Sequence, residues 1–164
     1  VFTCAMPELF APLKPGRHLV MENMQDPGNV GTILRTADAL HCQGVILAGD
    51  CADPTGPKAV RASMGAIFRR SIIELPTSAL IESAAELKMP IFAAALDGTA
   101  KDIRDVELPE SYAFAIGNEG GGLSRELLEA SAARVIIPMS ERCESLNAAA
   151  AAAVILWEMF RRGE

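Results

Sequence analysis

The sequence has few aromatic residues and few positive charges, and both shortages restrict how it can bind a nucleic acid. Aromatic side chains make up 5% of the 164 residues, too few for a platform on which several bases stack. The 15 Lys and Arg residues are outnumbered by 21 Asp and Glu residues, which gives a formal net charge of −6. A strongly basic domain that coats itself with nucleic acid is therefore excluded, although a local basic patch is not.

Cysteine and histidine are also scarce, and their spacing argues against a metal site and against a disulfide framework. There is no CxxC pair among the four cysteines and two histidines, which are Cys4, Cys42, Cys51, Cys143, His18 and His41. A tetrahedral zinc site needs closer ligand pairs. We therefore expect no metal ion, and we expect reduced cysteines that pack as small hydrophobic side chains in a cytoplasmic protein.

Long hydrophobic runs are missing as well. The longest apolar run, residues 148–157, is too short to cross a bilayer, and no secretory segment is visible at the start. We therefore expect no association with a membrane. Half of the residues are hydrophobic, which excludes a disordered chain. The first residue is Val1 rather than Met, which leaves open a preceding substrate-binding domain.

The order of apolar and helical segments predicts the fold class. Residues 1–16, rich in proline, indicate a linker ahead of one domain over residues 17–164. We predict strands at 18–24, 44–49, 68–75, 91–96, 112–117 and 134–138, and helices at 29–41, 58–64, 78–88, 124–132 and 144–162. Continuous apolar strands separated by helices are typical of a parallel sheet covered by helices on both faces, so we predict an α/β fold.

Three loops follow predicted strands and have unusual composition; they span residues 26–36, 117–124 and 137–147. An open parallel sheet binds its ligands at the carboxyl ends of its strands, where these loops lie. The second loop has four glycines within residues 117–122, which indicates either a sharp turn or backbone that touches a ligand. Its spacing matches neither the dinucleotide fingerprint nor a P-loop.

Each loop also has a simpler structural interpretation. In the first, Asn29 can cap the following helix, and Arg35 can be a solvated charge. In the second, Ser124 can cap a helix, and in the third, Ser145 or Asn147 can do the same. A basic segment completes the pattern, since Lys58, Arg61, Arg69 and Arg70 lie within 13 residues. Such a segment suits a phosphate backbone or a solvated face equally well.

In this order, the loops and the basic segment resemble the SpoU family of RNA ribose methyltransferases, within the SPOUT class. The resemblance is carried by NVGTILRTADA (29–39), RASMGAIFR (61–69), AIGNEGGGLS (115–124) and IPM…ESLNAAAA (137–151). Separate motifs in the right order are more specific than one glycine-rich loop. One departure is visible: the family usually continues Ser-Leu-Asn with Val-Ser-Val-Ala, whereas Ala149 has no hydroxyl. No role is assigned to that position.

The resemblance implies an α/β-knot fold, in which the C-terminal segment passes through a loop and forms a trefoil knot. It also implies S-adenosylmethionine as the cofactor, bound in the knotted region largely through backbone groups. The residues at the matching cofactor-binding positions are Leu96, Gly117, Ile137, Met139 and Leu146. No metal ion is required for this chemistry.

The reaction that the resemblance implies is methyl transfer to a ribose 2′-hydroxyl of tRNA or rRNA. The residues at the matching catalytic positions are Arg35, Asn29, Glu119, Ser145 and Asn147. Arg35 matches the catalytic arginine, and two accounts of it stay open. It acts as a general base, or it stabilises the developing alkoxide and a neighbouring phosphate. Asn29 and Glu119 would orient the arginine and the RNA, while Ser145 and Asn147 would hold the site from the last helix.

The resemblance further implies a homodimer. We expect its interface to include the apolar end of the last helix: Val154, Leu156, Trp157 and Phe160. Lys58, Arg61 and Arg69 are the expected RNA contacts. Because the domain is acidic, attraction for RNA has to come from this basic patch, from the dimer or from a region outside the sequence.

Two other functions stay open at this point. One is a non-catalytic RNA-binding or assembly module that retains the fold, against which the intact set of catalytic positions argues. The other is a base-directed SPOUT methyltransferase, which Arg35 and the Ser-Leu-Asn motif disfavour because they belong to the ribose-directed group. The sequence does not identify the RNA or the nucleotide that is modified.

Overall fold

A seven-stranded, entirely parallel sheet forms the centre of the computed structural model, which describes residues 10–118, 120–140, 142 and 145–163. The strands are β1 (Arg17–Glu22), β2 (Gly44–Ala48), β3 (Ile72–Leu75), β4 (Ile91–Ala94), β5 (Lys101–Asp102), β6 (Tyr112–Ile116) and β7 (Ala133–Ile136). Their order across the sheet is β3-β2-β1-β6-β4-β7-β5. Every paired strand runs parallel to its neighbour.

Helices cover both faces of this sheet. They are α1 (Pro27–Ala39), α2 (Pro57–Ser63), α3 (Thr77–Glu86), α4 (Arg125–Ala130) and α5 (Ala148–Arg161). One hydrophobic core lies between the sheet and helices α1 and α5, and a second lies between the opposite face and helices α3 and α4. The predicted α/β fold with a two-sided parallel sheet is therefore confirmed.

Strand β1 shows why the apolar runs are continuous rather than alternating. Leu19 and Met21 belong to the first core, and Val20, which points to the other face, belongs to the second. All three are fully buried. A strand with helices on both sides needs apolar residues at every position, because neither face meets water.

Polar side chains in the segments after the strands cap the N-termini of three helices. Asp26 caps α1 by accepting a hydrogen bond of 3.0 Å from the amide of Gly28. The prediction that Asn29 caps this helix is therefore wrong, because Asn29 already lies within its first turn. Ser124 caps α4, as predicted. Asn147 caps α5, which begins at Ala148 rather than at residue 144.

Two further boundaries differ from the prediction. Of the residues predicted as strand, Phe68 ends a 3-10 turn (Ala66–Phe68), residues 69–71 follow it, and β3 begins only at Ile72. The turn is prepared by left-handed backbone at Met64 and Gly65, with φ angles of 50° and 83°. The edge strand β5 was not predicted, because two residues are too few to show a strand pattern.

The predicted lead-in segment reaches the sheet where the structure describes it. The backbone amide of Ala11 donates a hydrogen bond of 2.9 Å to the carbonyl of Ile72 in β3, and Phe10 forms a β-bridge with the same residue. Leu13 packs against the second core. The domain boundary at residue 17 stays a prediction.

Candidate functional site

A cleft of about 580 Å³ lies at the carboxyl ends of three neighbouring strands, β6, β4 and β7. Its walls come from the segments that follow these strands and from the start of α5. The lining residues include Ala95, Leu96, Gly117, Asn118, Gly121, Gly122, Leu123, Ile137, Met139, Ser145, Leu146 and Asn147. This is the edge at which parallel sheets bind ligands.

The glycine loop, residues 117–123, forms one wall of the cleft by folding back on itself. The amide of Gly122 donates a hydrogen bond of 2.8 Å to the carbonyl of Asn118. A Cβ atom on Gly117 would lie 2.1 Å from the carbonyl carbon of Gly122, a distance that no side chain tolerates. Gly122 itself has a φ of 66°, which favours glycine. Glycine is therefore required here for close backbone packing and for a left-handed turn.

All five residues predicted to bind the cofactor line this cleft: Leu96, Gly117, Ile137, Met139 and Leu146. They come from the ends of β4, β6 and β7 and from the segment ahead of α5, so the structure brings together positions that are up to 50 residues apart in the sequence. Leu96 is 58% exposed. Their contact with a cofactor stays a prediction.

Three of the predicted catalytic residues lie at or beside the cleft. Ser145 and Asn147 line it. The side-chain amide of Asn147 lies 3.4 Å from Oδ1 of Asn29, which is buried in the first turn of α1. The oxygen of Asn147 accepts the amide protons of Ala149 and Ala150 as the α5 cap. The first and third loops of the sequence therefore meet.

The other two predicted catalytic residues are placed differently. Arg35 is exposed on α1 and is not among the residues that line the cleft. Its guanidinium forms no ion pair with any residue that the structure describes. Glu119 lies outside the described residues. Within one copy of the chain, therefore, Arg35 stays apart from the cleft.

The basic segment is largely neutralised by carboxylates of the first loop and α1. Lys58 forms an ion pair of 2.5 Å with Asp26, and Arg69 and Arg70 both pair with Asp38 at 2.8 and 2.7 Å. Hydrogen bonds from Arg70 and then Arg69 hold the pKa of Asp38 below its usual value. Of the three predicted RNA contacts, only Arg61 has no ion pair with a described residue.

Gly31 has a structural role in this arrangement. A Cβ atom at this position would lie 2.3 Å from the backbone oxygen of Ala59 and 2.7 Å from Cβ of Ala62. The glycine therefore lets α2 approach α1 closely. This packing, rather than a ligand, explains the glycine two positions after Asn29 in the first motif.

One of the four residues predicted to form the dimer interface is buried within its own chain. Leu156 is 1% exposed and belongs to the first core, so the prediction that it contributes to an interface is wrong. Its position on α5 turns it toward the sheet. Val154 and Trp157 do lie on the surface, with 39% and 53% of their area exposed. The ring of Trp157 packs against that of Phe160 at 5.9 Å between centroids.

Neither a metal cluster nor a membrane segment is found in the described ranges. No three potential His, Cys, Asp or Glu ligands come together there, and none of the described helices is both long enough and apolar enough to cross a membrane. Cys42 and Cys51 are free thiols, and burial raises the pKa of Cys42 to about 11. Cys4 and Cys143 lie outside the described residues.

One residue at the sheet edge was missed by the sequence reasoning. Glu22 is the last residue of β1 and is fully buried. Its carboxyl group accepts hydrogen bonds from Ser124 and Thr77, at the starts of two helices. The available signal was a glutamate that ends an otherwise apolar strand, a position where an acidic side chain needs a partner.

Comparison with known proteins gives the following similarities. The SpoU rRNA Methylase family matches residues 16–157. An uncharacterised tRNA/rRNA methyltransferase of Synechocystis is 37% identical over 147 residues, which cover 88% of this chain and 53% of that protein. The 23S rRNA (guanosine(2553)-2′-O)-methyltransferase RlmP of Bacillus subtilis is 32% identical over 157 residues, which cover 95% of this chain and 62% of RlmP.

A solved structure shows the same architecture. The AdoMet-bound rRNA methyltransferase from Sinorhizobium meliloti superposes with a TM-score of 0.89 at 32% identity. The match covers 93% of this chain and 61% of that one. The chain thus spans between about half and two thirds of the length of these three proteins.

Proposed function

Because the chain belongs to the SpoU rRNA methylase family, we propose that it transfers a methyl group from S-adenosylmethionine to a ribose 2′-hydroxyl of rRNA or tRNA. The observation that carries the proposal is the cleft at the ends of β4, β6 and β7. It is lined by all five residues at positions that match the family's cofactor motifs. A similar rRNA methyltransferase has AdoMet bound, and RlmP is named as a 23S rRNA 2′-O-methyltransferase.

The cleft suits S-adenosylmethionine in size and in chemistry. Its volume of about 580 Å³ falls within the range of small-molecule sites. Leu96, Ile137 and Leu146 offer apolar contacts for a planar adenine, and the glycine loop presents backbone groups that can hydrogen-bond its polar edges. When bound, the cofactor supplies an electrophilic methyl group. The residues of the chain have to orient the ribose hydroxyl and stabilise the charge that develops on it.

We assign to Arg35 the role of stabilising the charge that develops on the ribose oxygen. Its guanidinium is exposed and forms no ion pair with a described residue, so it is available for an alkoxide or a phosphate. A guanidinium keeps its proton up to a pH above about 12, which favours charge stabilisation over the role of a general base. Asn29, Ser145 and Asn147 would position the substrate from the cleft side, and we assign the same role to Glu119.

A homodimer reconciles the position of Arg35 with this role. Since Arg35 does not line the cleft of its own chain, we propose that it serves the cleft of a second copy. The exposed apolar residues Val154 and Trp157, one turn apart on α5, support such an interface, because adjacent exposed apolar side chains are typical of contact surfaces. The interface would bring α1 of one copy to the cleft of the other.

Three further features belong to the same proposal. The C-terminal segment forms the trefoil knot of the SPOUT class, and Ala148–Arg161, with its six alanines, is slim enough to pack in a crowded place. Arg61 contacts the RNA backbone, with Lys58 and Arg69 contributing once RNA phosphates compete with their carboxylate partners. Because the proposed substrates are rRNA or tRNA, we propose a cytoplasmic location. The proposed reaction needs no metal ion.

The decisive experiment has two readouts. Calorimetry with S-adenosylmethionine tests for one site per chain, and mass-spectrometric mapping of 2′-O-methyl groups compares RNA from cells with and without the protein. We expect binding and one lost methylation site. Cofactor binding without any lost site would instead support an RNA-binding or assembly module, and a lost base methylation would support a base-directed enzyme.

A further inference from the structure

Glu22 is buried at the carboxyl end of β1, the strand beside β6, and does not line the cleft. It ends β1, and its side chain has no exposed surface. No Lys, Arg or His of the described residues forms an ion pair with it. Burying a carboxyl group without a cation is unfavourable unless hydrogen bonds compensate for the lost water, so the groups that face it indicate its purpose.

Three hydrogen bonds satisfy this carboxyl group, and two of them come from one residue. The backbone amide of Ser124 donates to Oε2 at 2.7 Å, and the hydroxyl of Ser124 donates to Oε1 at 2.7 Å. The hydroxyl of Thr77, the first residue of α3, donates to Oε1 at 2.9 Å. The Ser124 hydroxyl also accepts the amide of Leu127 and so caps α4.

The end of β1 lies beside the start of the glycine loop and is bonded to the residue that follows the loop. Met21 of β1 is the register partner of Ile116 of β6, so the next residues along the two strands, Glu22 and Gly117, lie at the same edge. The loop leaves the sheet at Gly117 and ends at Ser124, which is bonded to Glu22. A loop with four glycines has many alternative conformations, and these bonds restrict where its second half can lie.

We propose that Glu22 is a positioning residue for the cofactor, which keeps the glycine loop in the shape that lines the cleft. This inference rests on the proposed function, because it takes the ligand of the cleft to be S-adenosylmethionine. Without the bonds to Glu22, the loop spends less time in the binding shape. The apparent dissociation constant rises as the inverse of the fraction of chains whose loop keeps the binding shape.

One serine variant and one threonine variant provide a matched test. Ser124→Ala and Thr77→Ala each remove one hydroxyl bonded to Oε1 of Glu22, but only Ser124 belongs to the end of the loop. Glu22→Gln keeps the volume of the side chain and loses one acceptor oxygen. We expect Glu22→Gln and Ser124→Ala to raise the Kd for S-adenosylmethionine roughly tenfold, and Thr77→Ala to leave it within about twofold.

If Glu22 had a purely structural role, its substitution would lower stability without selectively raising KM for the cofactor. Urea unfolding of each variant measures its stability, and steady-state kinetics measure KM for S-adenosylmethionine and for RNA separately. A positioning role raises KM for the cofactor and leaves KM for RNA unchanged. The double variant Glu22→Gln/Ser124→Ala should lose less binding free energy than the sum of the two single losses, because both changes act on the contact between Glu22 and Ser124.

The outcomes separate this inference from the proposed function. Wild-type binding with an unchanged Kd in Glu22→Gln would overturn the role of Glu22 and leave the proposed function standing. Equal losses of affinity in Thr77→Ala and Ser124→Ala would also overturn it, and this comparison decides the matter if Glu22→Gln does not fold. Failure of the wild-type chain to bind S-adenosylmethionine would overturn both proposals.

Discussion

The side chains of Asn29 and Asn147 meet at 3.4 Å, although 118 positions separate them in the sequence. Asn29 lies in the first turn of α1, and Asn147 caps α5 directly beside the cleft. The contact joins the starts of the two helices that share the first core. One residue, Asn147, thus combines a structural role at the helix end with a position in the candidate site.

The two roles of Asn147 can be separated by substitution. We expect Asn147→Ala to lower the free energy of unfolding by about 1 kcal/mol, because it removes the oxygen that caps α5. Asn147→Asp retains a capping oxygen and adds a negative charge that the start of a helix favours, so its stability should stay near that of the wild type. Urea unfolding curves for the two variants measure the difference. Equal destabilisation by both would contradict the capping role.

Gly117 provides a test of the glycine loop. In Gly117→Val the new side chain collides with the backbone at Gly122, so we expect the loop to be displaced and S-adenosylmethionine binding to be lost. Gly98→Val is the matched control, because a Cβ atom at Gly98 has no heavy atom within 4 Å. Calorimetry measures binding, and circular dichroism checks that both variants are folded. Binding of normal strength by Gly117→Val would show that the loop does not form the site.

Arg35 tests the chemical step. We expect Arg35→Ala to slow methyl transfer by roughly 10²- to 10³-fold, the usual effect of losing one donor that stabilises a developing oxyanion. Affinity for S-adenosylmethionine should stay within a few-fold, because Arg35 is assigned to the ribose oxygen and a phosphate of the RNA, whereas the later loops are assigned to the cofactor. Arg35→Lys should recover little activity, since an ammonium lacks the planar fork of a guanidinium.

Single-turnover methylation at saturating cofactor measures these rates. Arg125→Ala serves as the control, since this arginine is exposed and, among the described residues, forms its ion pair with Glu129 on its own helix. Full activity in Arg35→Ala would end the catalytic assignment. A mixture of Arg35→Ala with a cleft-defective Gly117→Val chain should regain activity if the arginine acts across the interface, because one cleft of the mixed dimer is then complete.

Trp157 tests the dimer. We expect the wild-type chain to sediment as a dimer at tens of micromolar and Trp157→Glu to sediment as a monomer, because a charge would be buried in an apolar contact. Phe68→Glu is a matched control, since Phe68 is 51% exposed and Trp157 53%, yet Phe68 lies outside α5. A wild-type monomer, or equal effects of the two substitutions, would argue against this interface.

Much of the fold was determined by local sequence patterns. Continuous apolar runs such as residues 44–48 require cover on both faces, and therefore predict a parallel sheet between two layers of helices. The motifs placed Ser145, Asn147 and the cofactor positions at strand ends, where parallel sheets form their ligand sites. The fold prediction succeeded because it depends on residues close together in the sequence. The cofactor positions line the cleft, and their contact with a cofactor stays a prediction.

Contacts between side chains of distant segments were decided only by the tertiary structure, because they depend on the order of the strands and on helix packing. Glu22 meets Ser124 because β6 adds beside β1, an adjacency that no local pattern records. Lys58 is paired because α2 packs on α1, and Arg69 is paired because the 3-10 turn before it also packs on α1. Leu156 turns inward rather than toward a second copy. Side-chain pairing between distant segments is set by how the whole chain satisfies its buried polar and apolar groups at once, and that requirement becomes visible only in the folded molecule.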